Sequence, residues 1–232
     1  MLGLDRLKIT QGDFRLEADL EVPDRSITAI VGPSGAGKST LLNVIAGFFG
    51  ATSGRVLWNG TPIDDLAPGD RPVSIVFQDN NLFPHLTAFE NVALGLRPSL
   101  KLSSDEHAQV EAALEKVGLQ GYGARRPGTL SGGQQSRVAL ARVLVRRKPL
   151  VLLDEPFSAL GPALRIEMLD LVRAVAAETG ATVLMVSHDP EDARRIADLT
   201  IYLGEGRAHS PTPTATLFAN PPEALSDYLG GA

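Results

Sequence analysis

The chain has 232 residues, of which 44% are hydrophobic and 21% charged, as in ordinary globular proteins. This length suits one domain with a sizeable core. The formal net charge of −5 argues against nucleic acid as a partner, because nucleic-acid-binding proteins usually present a basic face. The absence of cysteine excludes disulfides, thiolate metal sites and a cysteine nucleophile. No apolar run reaches the roughly 18 residues of a membrane span, and we expect no secretory signal.

Strand-like and helix-like patterns alternate along much of the chain, which predicts a mainly parallel sheet covered by helices. The pattern changes between about residues 79 and 148, where strands disappear and helical spacing dominates. Ser103 and Glu106 have the spacing of a capping box there. Strands are predicted at 27–31, 55–58, 73–77, 149–153, 181–187 and 199–203, and helices at 39–48, from Ser103, at 136–146, from Pro162, after Asp189 and near 223–229.

A glycine-rich segment at 32–39 matches the P-loop pattern and lies between a predicted strand and a predicted helix. Its glycines let successive backbone N–H groups turn toward a phosphate, and the helix N-terminus adds partial positive charge. Lys38 can reach the β- and γ-phosphates, and the Ser39 hydroxyl can bind Mg²⁺. A glycine-rich turn that binds nothing is the alternative, which this strand and helix context disfavours. The predicted nucleotide-binding residues are Gly32, Pro33, Ser34, Gly35, Ala36, Gly37, Lys38, Ser39 and Thr40.

A second candidate anion site opens the helix predicted at 136–146. Leu130 is followed by Ser131, Gly132, Gly133 and Gln134, and the serine and glutamine have capping-box spacing. A hydroxyl, two glycines and a helix N-terminus suit a phosphate. One chain with one ATP does not need two such sites, but two copies placed head to tail do. An ordinary helix cap is the alternative.

Two acids, Asp154 and Glu155, follow the apolar strand predicted at 149–153. A buried parallel strand delivers the residues at its end to the ligand edge of the sheet. Asp154 can there hold Mg²⁺ directly or through water, and Glu155 can polarise an attacking water as a general base. The alternative is an acidic helix cap after a core strand. The P-loop upstream favours the interpretation that these two acids act on a bound nucleotide.

In this order, the P-loop, Gln78, the Ser131–Gln134 segment, Asp154-Glu155 and His188 resemble the nucleotide-binding subunits of ABC transporters over the whole chain. The resemblance implies that Gln78 contacts Mg²⁺ and water and that His188 reaches the γ-phosphate. It therefore implies catalytic roles for Glu155, His188 and Gln78, and metal contacts for Ser39, Gln78 and Asp154. The Ser131–Gln134 segment, called the signature segment below, argues against a P-loop kinase or GTPase.

The resemblance implies an α/β fold, that of a P-loop NTPase of the ABC ATPase type. Such a fold has a mixed or parallel core sheet, an antiparallel β subdomain and an inserted helical subdomain, here at about 79–148. Residues 1–232 would form a single nucleotide-binding domain. The implied cofactors are ATP, which is hydrolysed, and Mg²⁺. The implied partners are a second copy of the chain, a transmembrane permease and, through it, a periplasmic substrate-binding protein, at the cytoplasmic face of a bacterial inner membrane.

The cargo is expected from a narrower resemblance. Residues 71–83, 94–96 and 98–102 resemble the ATPase subunits of bacterial thiamine importers. The sequence also ends shortly after its last predicted strand, whereas several sugar, iron and polyamine importer ATPases continue for roughly a hundred residues or more, a domain-sized addition. We therefore expect uptake of thiamine and its phosphates. An importer for another small solute and a soluble ABC-type ATPase of iron–sulfur assembly remain alternatives. Association with the membrane would distinguish an importer subunit from the soluble ATPase.

The sequence departs from the family pattern in two places. Gly161 follows Ser158-Ala159-Leu160 where the family usually has aspartate, and Gln11 occupies the position of the aromatic ring that stacks on adenine, with Phe14 nearby. The usual aspartate helps to couple the two ATP sites. The glycine therefore predicts looser coupling between the sites or slower hydrolysis.

A Gly161→Asp variant tests this prediction. We expect it to hydrolyse ATP faster or with stronger cooperativity than the wild type, because it restores the coupling carboxylate. The measurement is the ATPase rate as a function of ATP concentration. An unchanged rate together with an unchanged Hill coefficient would contradict the prediction.

Overall fold

A computed structural model describes residues 1–230, in which strands and helices alternate as predicted. The predicted element positions are confirmed, with ends that differ by at most four residues, the largest difference being the start of the helix predicted at 136–146. The segment before residue 27 holds two long strands that the sequence patterns did not locate. The strands are β1 (Leu2–Gln11), β2 (Phe14–Val22), β3 (Ile27–Val31), β4 (Ser53–Trp58), β5 (Thr61–Pro62), β6 (Val73–Val76), β7 (Leu150–Asp154), β8 (Thr182–Val186), β9 (Leu199–Gly204), β10 (Arg207–Ala208) and β11 (Thr212–Pro213).

The helices lie mainly between parallel strands and after the last of them. A short 3₁₀ turn at Pro127–Thr129 precedes the fourth helix. Across residues 1–230, no helix combines the length and the apolar character needed to cross a bilayer. The helices are α1 (Lys38–Ala46), α2 (Ala88–Ala93), α3 (Ser104–Lys116), α4 (Gly132–Arg146), α5 (Pro162–Thr179), α6 (Pro190–Ile196), α7 (Thr214–Ala219) and α8 (Glu223–Tyr228).

The sheet has a parallel part and an antiparallel part. The parallel strands lie in the order β9-β3-β8-β7-β6. The antiparallel strands lie in the order β5-β4-β1-β2, and the short β10 joins the two parts by pairing with both β2 and β9. Buried and exposed residues alternate along β2, so one face of this hairpin covers the core. The expected mixed sheet with an antiparallel part is confirmed.

The parallel strands β7 and β8 are apolar on both faces because helices cover both. Leu150 and Leu152 pack into a core that contains α1 and the antiparallel strands. Val151 and Leu153 point the other way, into a core shared with α5 and the helices between β6 and β7. Alternation along a single strand therefore divides its side chains between two cores.

Helices alone fill the segment between β6 and β7 within the described residues, as predicted for 79–148. Ser103 and Glu106 form the predicted capping box at the start of α3. A second capping box, between Thr87 and Glu90, starts α2. Buried side chains of α2, α3 and α4 share one core with α5. The helical content of the insertion is thus observed, while its independence as a subdomain stays a prediction.

A buried arginine fixes the end of α1. Arg71 is 4% exposed, and its guanidinium donates hydrogen bonds to the carbonyls of Val44 and Ile45 at 2.9 Å. It also donates to the carbonyls of Asp64 and Leu66, at 2.8 and 3.1 Å. Burial lowers the pKa of Arg71, an effect that the charge of Asp64 opposes. The arginine thereby adds hydrogen bonds to carbonyls in the last turn of α1, and it anchors the helix that carries Lys38.

Candidate active site

The carboxyl ends of four neighbouring strands collect most of the predicted site residues. The strands β3, β8, β7 and β6 are parallel and adjacent, so their following loops lie side by side. The P-loop follows β3, His188 follows β8, Asp154 ends β7, and Gln78 comes two residues after β6. Ligands of open parallel sheets bind at this edge. The fold therefore brings the P-loop, the two acids, the histidine and the glutamine to one place.

The P-loop holds its lysine tightly. Lys38 begins α1 and is 7% exposed. Its Nζ donates hydrogen bonds to the carbonyl oxygens of Gly32 and Pro33, at 2.8 and 2.9 Å. Burial lowers the pKa of Lys38, and the nearby charges of Glu155 and Asp154 act in the opposite direction. The ammonium group is thus placed at the start of a helix, close to both acids.

The predicted metal contacts meet at Ser39 and Asp154. The Ser39 hydroxyl donates a hydrogen bond to Oδ1 of Asp154 at 2.8 Å, although the residues are 115 positions apart. Burial raises the pKa of Asp154, while the bond from Ser39 and the charge of Lys38 lower it. Gln78 is exposed and borders the same cavity of about 500 Å³ as Asp154. Hydroxyl, carboxylate and amide oxygens are therefore available together, and these hard oxygen donors suit Mg²⁺.

Glu155 and His188 contact each other. Nδ1 of His188 lies 3.3 Å from Oε2 of Glu155. The glutamate has a left-handed backbone with φ of 46°, which a side chain with a Cβ adopts only at a cost. Its N–H donates to the carbonyl of Val186 at 3.1 Å, so β8 holds the turn in place. The turn aims the glutamate side chain at the loop that carries the histidine.

Arg165 of α5 braces the histidine loop, and the sequence patterns did not identify it. Its guanidinium pairs with Asp192 at 2.6 Å and with Asp189 at 3.0 Å. Ser187, next to His188, donates to the same oxygen of Asp192 at 2.6 Å. An arginine at helical spacing after a proline gives no sequence signal of this contact. Asp192 lies 27 residues from Arg165 along the chain.

The signature segment Ser131–Gln134 forms the predicted capping box at the start of α4. Within residues 1–230, its hydrogen bonds stay inside the helix start and do not reach the P-loop. Gly133 is buried, and a Cβ there would lie 2.2 Å from Cδ2 of Leu164 in α5. A Cβ at Gly132 would instead lie 3.7 Å from the nearest atom, on Leu160. The two glycines thus differ, because only Gly133 permits the contact between α4 and α5.

An aromatic ring lies on the P-loop. A Cβ at Gly37 would come within 2.4 Å of the Phe14 ring, and Gly37 has φ of 98°. Gln11, the residue expected at the adenine-stacking position, is exposed at the end of β1. The aromatic neighbour of the P-loop is therefore Phe14.

Gly161 caps α5 without a side-chain hydrogen bond. A Cβ at this position meets no atom within 4 Å. Space for the aspartate of the usual pattern is therefore present.

A P-loop between a parallel strand and a helix, with two acids at the end of a nearby parallel strand, defines a P-loop nucleoside triphosphatase. The sequence profile of the ABC transporter family matches residues 16–158, which is more than half of the chain. The chain belongs to the ABC transporter family, and the resemblance seen in the sequence is confirmed.

Curated relatives match nearly the whole chain. The thiamine import ATP-binding protein ThiQ of Cereibacter sphaeroides is 60% identical over 230 residues, covering 99% of this chain and 100% of that protein. The ThiQ protein of a Ruegeria species is 55% identical with the same coverage. That of Brucella suis is 50% identical, with 99% of this chain and 95% of that protein covered.

Solved structures agree with the fold. A dimeric ATP-binding cassette, MJ0796, bound to ADP and Pi in a post-hydrolysis state, matches with a TM-score of 0.80 and 31% identity. The match covers 92% of this chain and 99% of that one. A nucleotide-free ATP-binding cassette from an ABC transporter has a TM-score of 0.88 at 24% identity, which supports the fold. The expected fold class is confirmed, and the chain has the fold of nucleotide-binding cassettes.

Matched alanine substitutions test the contact between α4 and α5. We expect Gly133→Ala to lower the free energy of unfolding by about 1–2 kcal/mol, because its methyl group overlaps Leu164. Gly132→Ala serves as the control and should change it by less than about 0.5 kcal/mol. Urea unfolding measures both. In the Gly133→Ala background, Leu164→Ala should cost less than it does alone, since it removes the overlap. Equal costs for the two glycine variants would contradict this account.

Asp154→Asn tests the cost of the buried carboxylate. Burial raises the pKa of Asp154 above its unfolded value, so ionisation destabilises the folded protein. Stability is lost as pH rises from the unfolded pKa, near 4, through the raised folded pKa. We therefore expect Asp154→Asn to raise Tm at pH 7 in EDTA without nucleotide, and the gain to shrink as pH approaches about 4.

The control for this experiment is Asp170→Asn. Arg195 holds the pKa of the exposed Asp170 carboxyl below its usual range, so neutralising it should not raise Tm at pH 7. A lower Tm for Asp154→Asn than for the wild type at pH 7 would show that burial does not penalise the carboxylate.

Proposed function

We propose that this chain is the ATP-hydrolysing subunit of an ABC importer that energises the uptake of thiamine and its phosphates. The observation that carries the proposal is the 60% identity to a thiamine import ATP-binding protein over 99% of this chain and all of that protein. This similarity extends beyond the P-loop and the acids to the helical segment and the C-terminal elements. Those parts differ among P-loop enzymes that share the same phosphate chemistry.

The P-loop binds the nucleotide phosphates in this proposal. Residues 32–40 wrap backbone N–H groups around the β- and γ-phosphates. Lys38, now bonded to two loop carbonyls, turns its ammonium group to phosphate oxygens. Phe14, beside Gly37, is the aromatic side chain that we assign to contact with the purine ring.

Mg²⁺ fits the oxygen donors of Ser39, Asp154 and Gln78. Ser39 and Asp154 already share a hydrogen bond of 2.8 Å, and burial favours a cation beside Asp154. No group of three metal-binding side chains of His, Asp or Glu type occurs in the part of the chain that the structure describes. A donor set with one carboxylate suits Mg²⁺, which keeps several waters and is bound through one or two carboxylates and substrate phosphates. Bound Mg²⁺ neutralises phosphate charge.

Glu155, His188 and Gln78 carry out hydrolysis in this proposal. Glu155 accepts a proton from the attacking water as that water bonds to the γ-phosphorus and the bond to ADP breaks. His188 lies 3.3 Å from Glu155 and orients the water and the γ-phosphate. Gln78 faces the same cavity as Asp154 and responds to the γ-phosphate and its metal.

Two copies of the chain close on ATP in this proposal. The signature residues Ser131, Gly132, Gly133 and Gln134 form a helix start that binds no P-loop of its own chain within the described residues. In a head-to-tail pair, each signature segment covers the γ-phosphate held by the other copy. The related MJ0796 cassette is dimeric with ADP and Pi bound. Closure follows ATP binding, and hydrolysis followed by product release reopens the pair.

A permease docks beside Gln78 in this proposal. Phe48, Phe49 and Phe83 are 48%, 49% and 45% exposed, which is unusual for such large apolar side chains. The Phe48 ring lies 5.7 Å from that of Phe77, which precedes Gln78, so Phe48 adjoins the Gln78 loop. The docked chain would be peripheral, at the cytoplasmic face of the inner membrane. A periplasmic substrate-binding protein reaches it only through the permease, and the cargo does not touch this chain.

A buried polar contact transmits motion between this surface and the signature helix. Asn91 of α2 is 0% exposed, and its Oδ1 accepts from the N–H of Phe83 at 2.8 Å. Arg142 of α4 donates to the same Oδ1 at 3.0 Å and to the Asn91 carbonyl at 3.0 Å. In this proposal, movement of the Phe83 segment would reach α4, which follows Ser131, through Asn91 and Arg142.

Uptake of labelled thiamine in a deletion strain tests the proposal. We expect deletion to abolish high-affinity uptake and the wild-type gene to restore it. Glu155→Gln should not restore it, because loss of the general base lowers ATP turnover by about 10²–10⁴-fold. Glu21→Gln, the same change on the exposed face of β2, is the control and should restore uptake fully.

Three other outcomes separate the alternatives. Unchanged uptake after deletion, in a strain with no second thiamine carrier, would contradict the cargo and leave an importer for another small solute. Absence of the chain from the membrane fraction would favour a soluble ATPase of iron–sulfur assembly. Full restoration by Glu155→Gln would contradict the assignment of the general base.

A further inference from the structure

The loop that carries His188 is held at its side chains and at its backbone. This loop joins β8 to α6. The Ser187 hydroxyl, next to His188, accepts a hydrogen bond from the N–H of Asp189 at 3.1 Å. Asp189 in turn caps α6 and pairs with Arg165. These contacts fix the residues on either side of the histidine.

The histidine's own carbonyl is held from the C-terminal end of the described chain. Tyr228, the last residue of α8, donates its hydroxyl to the carbonyl oxygen of His188 at 2.9 Å. The two residues are 40 positions apart. The bond therefore connects a separate element to the residue whose imidazole contacts Glu155.

Contacts other than this bond dock α8. Leu225 is 0% exposed in a small core with Ala29, Val31 and Phe218. Tyr202 of β9 donates its hydroxyl to the carbonyl of Ala224 at 3.2 Å. Loss of the Tyr228 hydroxyl alone would thus leave the helix in place, because the apolar contacts of α8 remain.

The phenol is suited to donate at physiological pH. Burial raises the pKa of Tyr228, and the charges of Asp189 and Glu155 raise it further. The hydroxyl consequently keeps its proton where the protein works.

We propose that Tyr228 is a positioning residue that sets the place of His188 for ATP hydrolysis by binding its backbone carbonyl. The inference rests on the proposed role of His188. A carbonyl freed from Tyr228 lets the peptide at 188 rotate, and the imidazole then leaves its 3.3 Å contact with Glu155. Tyr228 does not touch the nucleotide in this arrangement. Its removal should therefore affect turnover more than ATP binding.

The test compares Tyr228→Phe with Tyr202→Phe in the full-length chain. Both variants remove one phenol hydroxyl that donates to a backbone carbonyl, but the partner of Tyr202 is α8 and not the histidine. We expect Tyr228→Phe to lower kcat for Mg-ATP about three- to tenfold, the worth of one hydrogen bond, with KM within about twofold. Tyr202→Phe should keep the wild-type kcat.

Thermal unfolding of both variants shows whether α8 stays docked, and similar Tm values make the kinetic comparison direct. Wild-type kcat in Tyr228→Phe overturns the inference. An equal fall in both variants also overturns it, because the cause is then the docking of α8. A change in KM without a change in kcat overturns the inference as well.

Failure of the proposed function gives a different result. In that case the wild-type chain either does not hydrolyse Mg-ATP or hydrolyses it at a rate that Glu155→Gln leaves unchanged. If turnover and its loss in Glu155→Gln are both observed while Tyr228→Phe matches the wild type, only the role of Tyr228 is wrong.

Discussion

The parallel pairing of β3, β8, β7 and β6 is the constraint on which the rest of the site depends. It sets four strand ends side by side, so residues far apart in sequence share one edge. Both faces of β7 and β8 are apolar, so a one-residue slip would still bury hydrophobic side chains. The polar ends distinguish the registers. Asp154 lies opposite Val186 and accepts the Ser39 hydrogen bond, and a slip would leave that carboxylate buried without its donor.

Charge is concentrated at this edge at the expense of stability. Burial disfavours the charged form of both Lys38 and Asp154, and the left-handed backbone of Glu155 adds strain. Each feature costs folding free energy, which the apolar cores offset. Such unfavourable groups gathered in one place are typical of functional sites, where phosphate and metal ions supply the missing counter-charges.

Local signals allowed the sequence to predict much of this protein. The P-loop, the acids at the end of β7 and the capping boxes at Ser103 and Ser131 depend on residues within a few positions of one another, and each lies where the pattern placed it. The hairpin of β1 and β2 was not predicted, although the alternation of apolar and polar residues along β2 is a strand signal. The partners of Arg165 and Tyr228 lie 27 and 40 positions away, beyond any periodicity. The catalytic and metal-binding roles themselves stay predictions.

The first turn of α5 has two neighbours, one on each side. Leu164 fills the space that Gly133 leaves open at the start of the signature helix, and the next residue, Arg165, grips Asp189 and Asp192 around His188. Adjacent residues on one rigid turn cannot move independently, and closely packed interiors do not absorb displacement. The first turn of α5 therefore couples the signature helix to the His188 loop. In the proposed pair, a displacement of one signature helix would reach the His188 loop of the same chain through Leu164 and Arg165.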